Sequence, residues 1–351
     1  MKHRWLSIFS VILIVAVSLG ADYDRKFGTI QNSPQLPTDV EQYYLDHYSC
    51  YEESYIPTCE DWTVMKKLTV NGHDHPSVDF FQIRYKSDGL NIYGLMMKPK
   101  AEGKYPTLIF NHGGVGGIPE NSLPLNFDVA AKGYVVLMSS YRGEHLILDN
   151  TAQIQINTTN PLSEGITDNK EVHDVLNLLE CRKVLDFADS SKVGMYGASH
   201  GGLLTLLAIE RSSEIDVAVH LYGYDLFKGY LKYLDNPTGV STKIFSPEFQ
   251  AMTFIEQLNY INTMDPVFPS CIEKIKTPLL VMVGDEDSDE IYEGSLDLMD
   301  SLKREDKTFL QKIYPREGHS FNYYILQSQK QGNKLNAFEL LAGFLDRFLL
   351  D

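Results

Sequence analysis

Short, nearly continuous apolar runs alternate along this chain with longer stretches of helical periodicity, and this alternation restricts the fold more than any other feature. In order come "TLIFNH", the amphipathic "PLNFDVAAKG", "YVVLMSS", the helical "NKEVHDVLNLLECRKVLDF", "KVGMYG", the helical "SHGGLLTLLAIERS", "IDVAVHLYG", and later "PLLVMVGDED" and "TFLQKIYP". Strands that are apolar throughout must be covered on both faces, and the intervening helices supply the cover. The pattern predicts an α/β fold with a mostly parallel central sheet and helices on both faces. Ahead of it, "VDFFQIRY" and "LNIYGLMMKP" flank the turn "KSDG" and predict an antiparallel hairpin. At the far end, Leu335, Phe338, Leu341, Phe344, Leu345 and Phe348 share one helical face that would pack on the sheet.

The first residues read as an export signal. Cationic "MKHR" precedes the uncharged "WLSIFSVILIVAVSLG", and small Ser18, Gly20 and Ala21 stand before polar "DYDRK", so residues 1–21 are assigned to a cleaved signal peptide. An uncleaved N-terminal anchor is the alternative, although the run is shorter than the roughly 20 residues of a spanning helix. No other membrane contact is expected. Residues 22–75 are expected to form an extension packed on a catalytic domain at 76–351. Between the strand ending near Gly223 and the one starting near Pro278 the connection far exceeds the usual length of about 2 to 6 residues. The segment at about 224–270 is therefore read as a helical cap beside the active site, with a surface excursion as the alternative.

With 47 acidic residues against 31 Lys and Arg, the formal net charge is −16, which repels phosphate backbones and argues against nucleic acid as a partner. Four cysteines in a chain expected to be exported permit disulfides. Cys50 and Cys59 are close in sequence and are expected to pair, leaving Cys181 and Cys271 as buried thiols or a second bridge. No C-x-x-C spacing supports a thiolate zinc site, and His73 and His75 in "NGHDHP" read as a solvated turn rather than metal ligands. Asn157, Thr158 and Thr159 form an acceptor sequon. Arg142 in "SSYRGE" is expected to tie loops together as a structural cation rather than clamp substrate.

Gly197, Ser199 and Gly201 satisfy G-x-S-x-G between the strand "KVGMY" and the helix "HGGLLTLLAIE". On a sharp strand-to-helix turn the serine backbone is strained, and side chains two residues to either side would collide with neighbouring backbone, hence the glycines. Such a turn sets Ser199 at a helix N-terminus with the amide of His200 pointing outward, in a field that favours negative charge. A turn of purely structural purpose is the competing reading of the pentapeptide. A serine nucleophile needs a base, and the base an orienting acid. His319 follows a later strand in "EGHSF", while Asp285, Asp287 and Asp289 share the loop "GDEDSDE"; the order Ser, Asp, His suits an open sheet of this kind. One of the three aspartates can accept the imidazole NH. Glycines in "IFNHGGVGG" let the backbone of Gly113 or Gly114 approach a substrate oxygen and complete an oxyanion hole with the His200 amide. Pro119 stands where the third glycine of a dinucleotide loop would fall and no G-K-[ST] follows, which excludes a phosphate loop.

From about Phe81 to its end the chain resembles the catalytic domain of the prolyl oligopeptidase family of α/β-hydrolases, and is similar to acetyl esterases and dienelactone hydrolases. The resemblance is carried by "SDGLNIYGLMMKP", "YPTLIFNHGG", "GYVVLMSSYRGE", "GASHGG", "IKTPLLVMVGDED" and "EGHSF" in that order. It implies the α/β-hydrolase fold, Ser199 as nucleophile, His319 as base, and Asp287 as the acid of the family's G-x-x-D pattern. Val283 and Glu290 depart from that pattern, where the family usually has His and Val.

The resulting expectation is an exported serine hydrolase that works by acyl transfer on a small peptide or ester substrate, without cofactor or metal. A serine peptidase acting on small peptides is the leading reading, and a carboxylesterase or acetyl esterase acting on small or carbohydrate esters is the alternative. The resemblance favours the first. Only about fifty residues separate the expected signal from the first hydrolase strands, too few for a β-propeller with blades of about 40 to 45 residues, and this favours the second. A non-catalytic binding protein on the same fold is the third reading, against which the ordered Ser199, Asp287 and His319 argue.

Overall fold

In the computed structural model, which describes residues 37–148, 155–236, 245–321 and 328–350, the expected hairpin opens a larger sheet. Strands β1 (Glu60–Lys67), β2 (Val78–Ser87) and β3 (Leu90–Pro99) run antiparallel. Asp88 and Gly89 make the turn between the last two with φ of 50° and 79°, a conformation that Asp and Gly tolerate. Strand β1 falls inside the stretch expected as an extension and joins the sheet at its edge. Strand β3 pairs antiparallel with β6 (Val135–Ser139), and β4 (Tyr105–Asn111), β8 (Ala188–Ala198), β9 (Val217–Leu221), β10 (Leu279–Gly284) and β11 (Phe309–Tyr314) continue in parallel from it. The order is β1-β2-β3-β6-β4-β8-β9-β10-β11. Every residue of β6, β9 and β10 is buried, as a strand covered on both faces requires. A separate parallel pair, β5 (Gly117–Pro119) and β7 (His145–Leu148), carries no periodic signal in the sequence.

The chain divides into two compact units, residues 1–46 and 47–351. The described part of the first holds most of helix α1 (Val40–His47), where the Asp39 carboxylate accepts from the Gln42 amide at 2.9 Å. The second unit holds the sheet and its helices. Helix α2 (Leu123–Ala131) packs on β3 and β6, and α3 (Glu171–Cys181) and α4 (His200–Arg211) pack on each other and on the central strands. The C-terminal helix α10 (Ser328–Leu349) lies on β8 and β9, burying Leu341, Phe344 and Leu345. Helix α3 ends earlier than its apolar pattern suggests. A 3-10 turn at Arg182–Val184 follows, and Leu185 turns extended to lead the chain into β8.

Between β9 and β10 lie α5 (Leu226–Asp235), α6 (Pro247–Gln250), α7 (Phe254–Thr263) and α8 (Pro269–Ile272), followed after β10 by α9 (Asp289–Arg304). Local sequence starts these helices: the Asp225 carboxylate accepts from the Lys228 amide at 2.9 Å, and Thr253 and Glu256 form a capping box. The expected signal peptide at 1–21 lies outside the described residues. Among the described residues no helix is long and apolar enough to cross a membrane.

The expected Cys50–Cys59 bridge is not formed. Cys50 is bonded to Cys271 and Cys59 to Cys181. Residues 51–59 contain neither helix nor strand and are anchored at opposite ends, by Ser270 Oγ on the Cys50 amide and by Asn177 Oδ1 on the Thr58 amide, both at 2.8 Å. Each cysteine is thereby delivered to a different partner element, and nearness in sequence is not nearness in space. Cys181 and Cys271, left open between free thiols and a second bridge, are both oxidised, each to a residue of the N-terminal stretch.

Candidate active site

The loops that follow β8, β10 and β11 bring the expected residues to one edge of the sheet. Ser199 sits on the turn between β8 and α4 with φ 56° and ψ −122°, a strained backbone for a residue other than glycine. The strain is held by close packing. A Cβ at Gly197 would lie 2.0 Å from the Gly201 carbonyl oxygen, and one at Gly201 would lie 2.0 Å from that of Asn111. The turn therefore presses against the end of β4, where the glycine loop begins.

His319 lies between a serine and a carboxylate. Its Nε2 is 3.0 Å from Ser199 Oγ, and its Nδ1 is 3.1 and 3.0 Å from the two carboxylate oxygens of Asp287. The Asp287 side chain is 1% exposed and that of His319 38%, so the acid is shielded while the imidazole faces the mouth of the site. The Tyr222 ring meets His319 edge-on at 4.9 Å. The other two aspartates are occupied elsewhere. Asp285 accepts from the Arg316 amide at 2.6 Å, and Asp289, 78% exposed, pairs with Lys232 at 3.2 Å. Glu290, one of the two departures from the family pattern, also pairs with Lys232.

The glycine loop stands across from the serine. A Cβ at Gly113 would come within 2.8 Å of Ser199 Cβ, so only glycine permits this approach, and Gly114 has φ 75° with open space around it. His200 begins α4, which directs its amide along the helix start.

A model of the prolyl oligopeptidase family matches residues 121–350, about two thirds of the sequence. The chain belongs to the prolyl oligopeptidase family. It is 22% identical over 254 residues to an uncharacterized peptidase of Bacillus subtilis, YtmA, covering 70% of this chain and 87% of that one. Human dipeptidyl peptidase 8 is 27% identical over 292 residues, which are 75% of this chain and 29% of that enzyme. Among solved structures, an acylaminoacyl peptidase of Pyrococcus horikoshii superposes with a TM-score of 0.59 at 20% identity, over 78% of this chain and 42% of its own. Acetyl xylan esterase 1 from Thermoanaerobacterium gives 0.53 at 20% identity, over 89% and 95%. The structural likeness shows the α/β-hydrolase fold, and the family makes this chain a serine hydrolase.

Around this prolyl oligopeptidase-family site, sequence reasoning missed a buried ionisable cluster. His200 Nε2 is 2.5 Å from Glu171 Oε2, and His112 Nε2 is 3.6 Å from Glu144 Oε2. Burial pushes His112 down to about 3 and keeps it neutral. Burial and the neighbouring charge of Glu171 push Glu144 up to about 7, against the pull of the Gly116 and Gly117 amides. For His200 burial opposes the charged form, but Glu171 and Glu144 outweigh it and raise its pKa above the ordinary histidine value. These residues are scattered over four segments, and no spacing links them.

Arg142, expected as a structural cation, is buried and donates to both oxygens of buried Asp174 at 2.7 and 3.1 Å and to part-exposed Asp88 at 2.9 Å. His75 stacks on Phe127 at 4.9 Å. The one group of three potential metal ligands among the described residues is Cys50, Glu210 and Cys271, and its two sulfurs are joined to each other. In the sequon, Asn157 Oδ1 accepts from the Thr69 amide at 2.5 Å.

Proposed function

We propose that this chain is an exported serine peptidase that cleaves small peptides through an acyl-enzyme on Ser199, with His319 as base and Asp287 as its orienting acid. The observation that carries the reading is the Ser199 to His319 to Asp287 relay at 3.0 to 3.1 Å on a hydrolase sheet. Unprotonated Nε2 of His319 takes the hydroxyl proton as Oγ attacks the carbonyl carbon. The carbonyl electron pair moves onto oxygen, which the amides of His200 and Gly113 or Gly114 receive. Collapse of the adduct expels the amine, which leaves with the proton from His319. Water then attacks the ester, giving its proton to His319, and Ser199 regains that proton as the acid product departs. The Asp287 carboxylate accepts the bond from Nδ1–H throughout and keeps the ring in place.

The relatives named as peptidases support the peptide reading. The insertion at 224–270 is proposed to cap the acyl pocket, since the Tyr224 amide donates to the Ser199 carbonyl at 3.3 Å. Two disulfides and the apolar N-terminal run support export to an oxidising compartment. An ester substrate is the second reading, favoured by the near end-to-end match with acetyl xylan esterase 1.

A matched panel of peptidyl amides and short acyl esters tests the choice. The proposal expects the larger specificity constants on amides after correction for intrinsic reactivity; turnover of acetyl esters alone would replace it with the esterase reading.

A further inference from the structure

Tyr141 lies between the two halves of the oxyanion site. It is wholly buried and has φ 58°, a left-handed backbone that a bulky aromatic residue adopts only when its surroundings impose it. Its ring stacks on His112 with centroids 4.2 Å apart and meets His200 edge-on at 6.2 Å. Its hydroxyl donates to the carbonyl oxygen of His112 at 3.2 Å. That carbonyl shares one planar peptide group with the amide of Gly113, so a bond that fixes the oxygen also fixes the direction of the NH. On the other side, Glu171 is 1% exposed at the start of α3, and its 2.5 Å bond to Nε2 holds the His200 ring. The amides of a helix's first turn have no partner within the helix, and a side-chain clamp at its first residue keeps that turn from fraying.

We propose that Glu171 and Tyr141 are the positioning residues of the oxyanion site, Glu171 acting through the His200 side chain and Tyr141 through the His112–Gly113 peptide. The proposal rests on the serine hydrolase reading of Ser199 and deepens it. The groups that face the clamp are Glu144 from the segment after Tyr141, His112 from the glycine loop and Tyr260 from α7, which senses the Glu171 charge. The Glu171 and Glu144 carboxylates raise the His200 pKa against the effect of burial, at the helix N-terminus that borders the site.

The experiment measures kcat and KM on an activated ester, per site titrated with a fluorophosphonate, for wild type, Glu171→Gln, Tyr141→Phe, His200→Ala and the Glu171→Gln/His200→Ala double variant, together with their affinities for a trifluoromethyl ketone that forms a tetrahedral adduct. Loss of transition-state binding should lower kcat of each single variant about 10- to 100-fold, leave KM within about threefold, and weaken the ketone in parallel. The double variant should be no worse than its worse parent, because Glu171 acts through His200. A kcat within about twofold of wild type, a KM that rises as kcat falls, or multiplicative losses in the double variant would overturn the proposal. Tyr141→Phe removes a single hydroxyl and carries the test if Glu171→Gln does not fold. Ser199→Ala separates the two levels. If wild type and Ser199→Ala turn over the ester equally, the underlying reading fails and this inference falls with it; if only wild type is active, the variants judge the inference alone.

Discussion

Nε2 of His319 lies 3.0 Å from Oγ of Ser199, although 120 residues separate them in sequence. Parallel strands make this possible. Loops at the same edge of such a sheet converge whatever the length of chain between them. The third partner comes from the loop after β10, which held three candidate aspartates.

Those aspartates give the sharpest mutational contrast. Asp287→Asn should lower kcat by about 10⁴-fold, because an amide facing Nδ1 favours the wrong tautomer of His319. Asp285→Asn, at a carboxylate occupied by the Arg316 amide, should stay within about tenfold of wild type. Steady-state rates of the two purified variants check the assignment, and equal losses would contradict it.

How much of this could be read beforehand follows from what each feature depends on. Ser199 and His319 were legible because strand, turn and helix leave local marks: glycines at fixed offsets and apolar runs of strand length. The choice among Asp285, Asp287 and Asp289 depends on which carboxylate turns inward, and that is set by Arg316 and Lys232 on other segments. The cysteine pairing departs from nearness in sequence because it depends on the path of residues 51–59 across the fold. Glu171 and Tyr141 escaped notice because an acid in the first turn of a helix and a tyrosine after a strand are ordinary in sequence. Their meaning comes only from burial beside His200 and His112.

Glycine substitutions should separate close packing from free surface. Gly201→Ala would drive a Cβ to 2.0 Å from the Asn111 carbonyl, and a loss of about 3 kcal/mol or more is expected, with little active protein. Gly343→Ala, in α10 with nothing within 4 Å, should stabilise by about 1 kcal/mol. Urea unfolding midpoints measure both.

Glu210 predicts a pH dependence. Burial raises its carboxyl to about 7 from the ordinary 4.5, and the side chain sits 3.1 Å from the disulfide sulfur of Cys50. The native protein thus holds a proton that the unfolded chain releases, so stability is lost as pH rises from about 4.5 through 7. Glu210→Gln should be more stable than wild type by up to about 3 kcal/mol at pH 8.5 and show a smaller gain at pH 5. A gain independent of pH would contradict this account of the site.

The disulfides are open to direct mapping. Proteolysis without reductant should yield the Cys50–Cys271 and Cys59–Cys181 peptide pairs and no Cys50–Cys59 species. Replacing Cys59 and Cys181 together by serine should cost about 2–4 kcal/mol, since the bridge closes a long loop.

The central claim is that Ser199 is the residue that carries the acyl group, and covalent labelling followed by peptide mass spectrometry tests it most directly. A fluorophosphonate should add once, on the peptide containing Gly197 to Gly202, and the adduct should vanish in Ser199→Ala. Undiminished labelling of Ser199→Ala, or an adduct on another residue of the wild-type protein, would contradict the account.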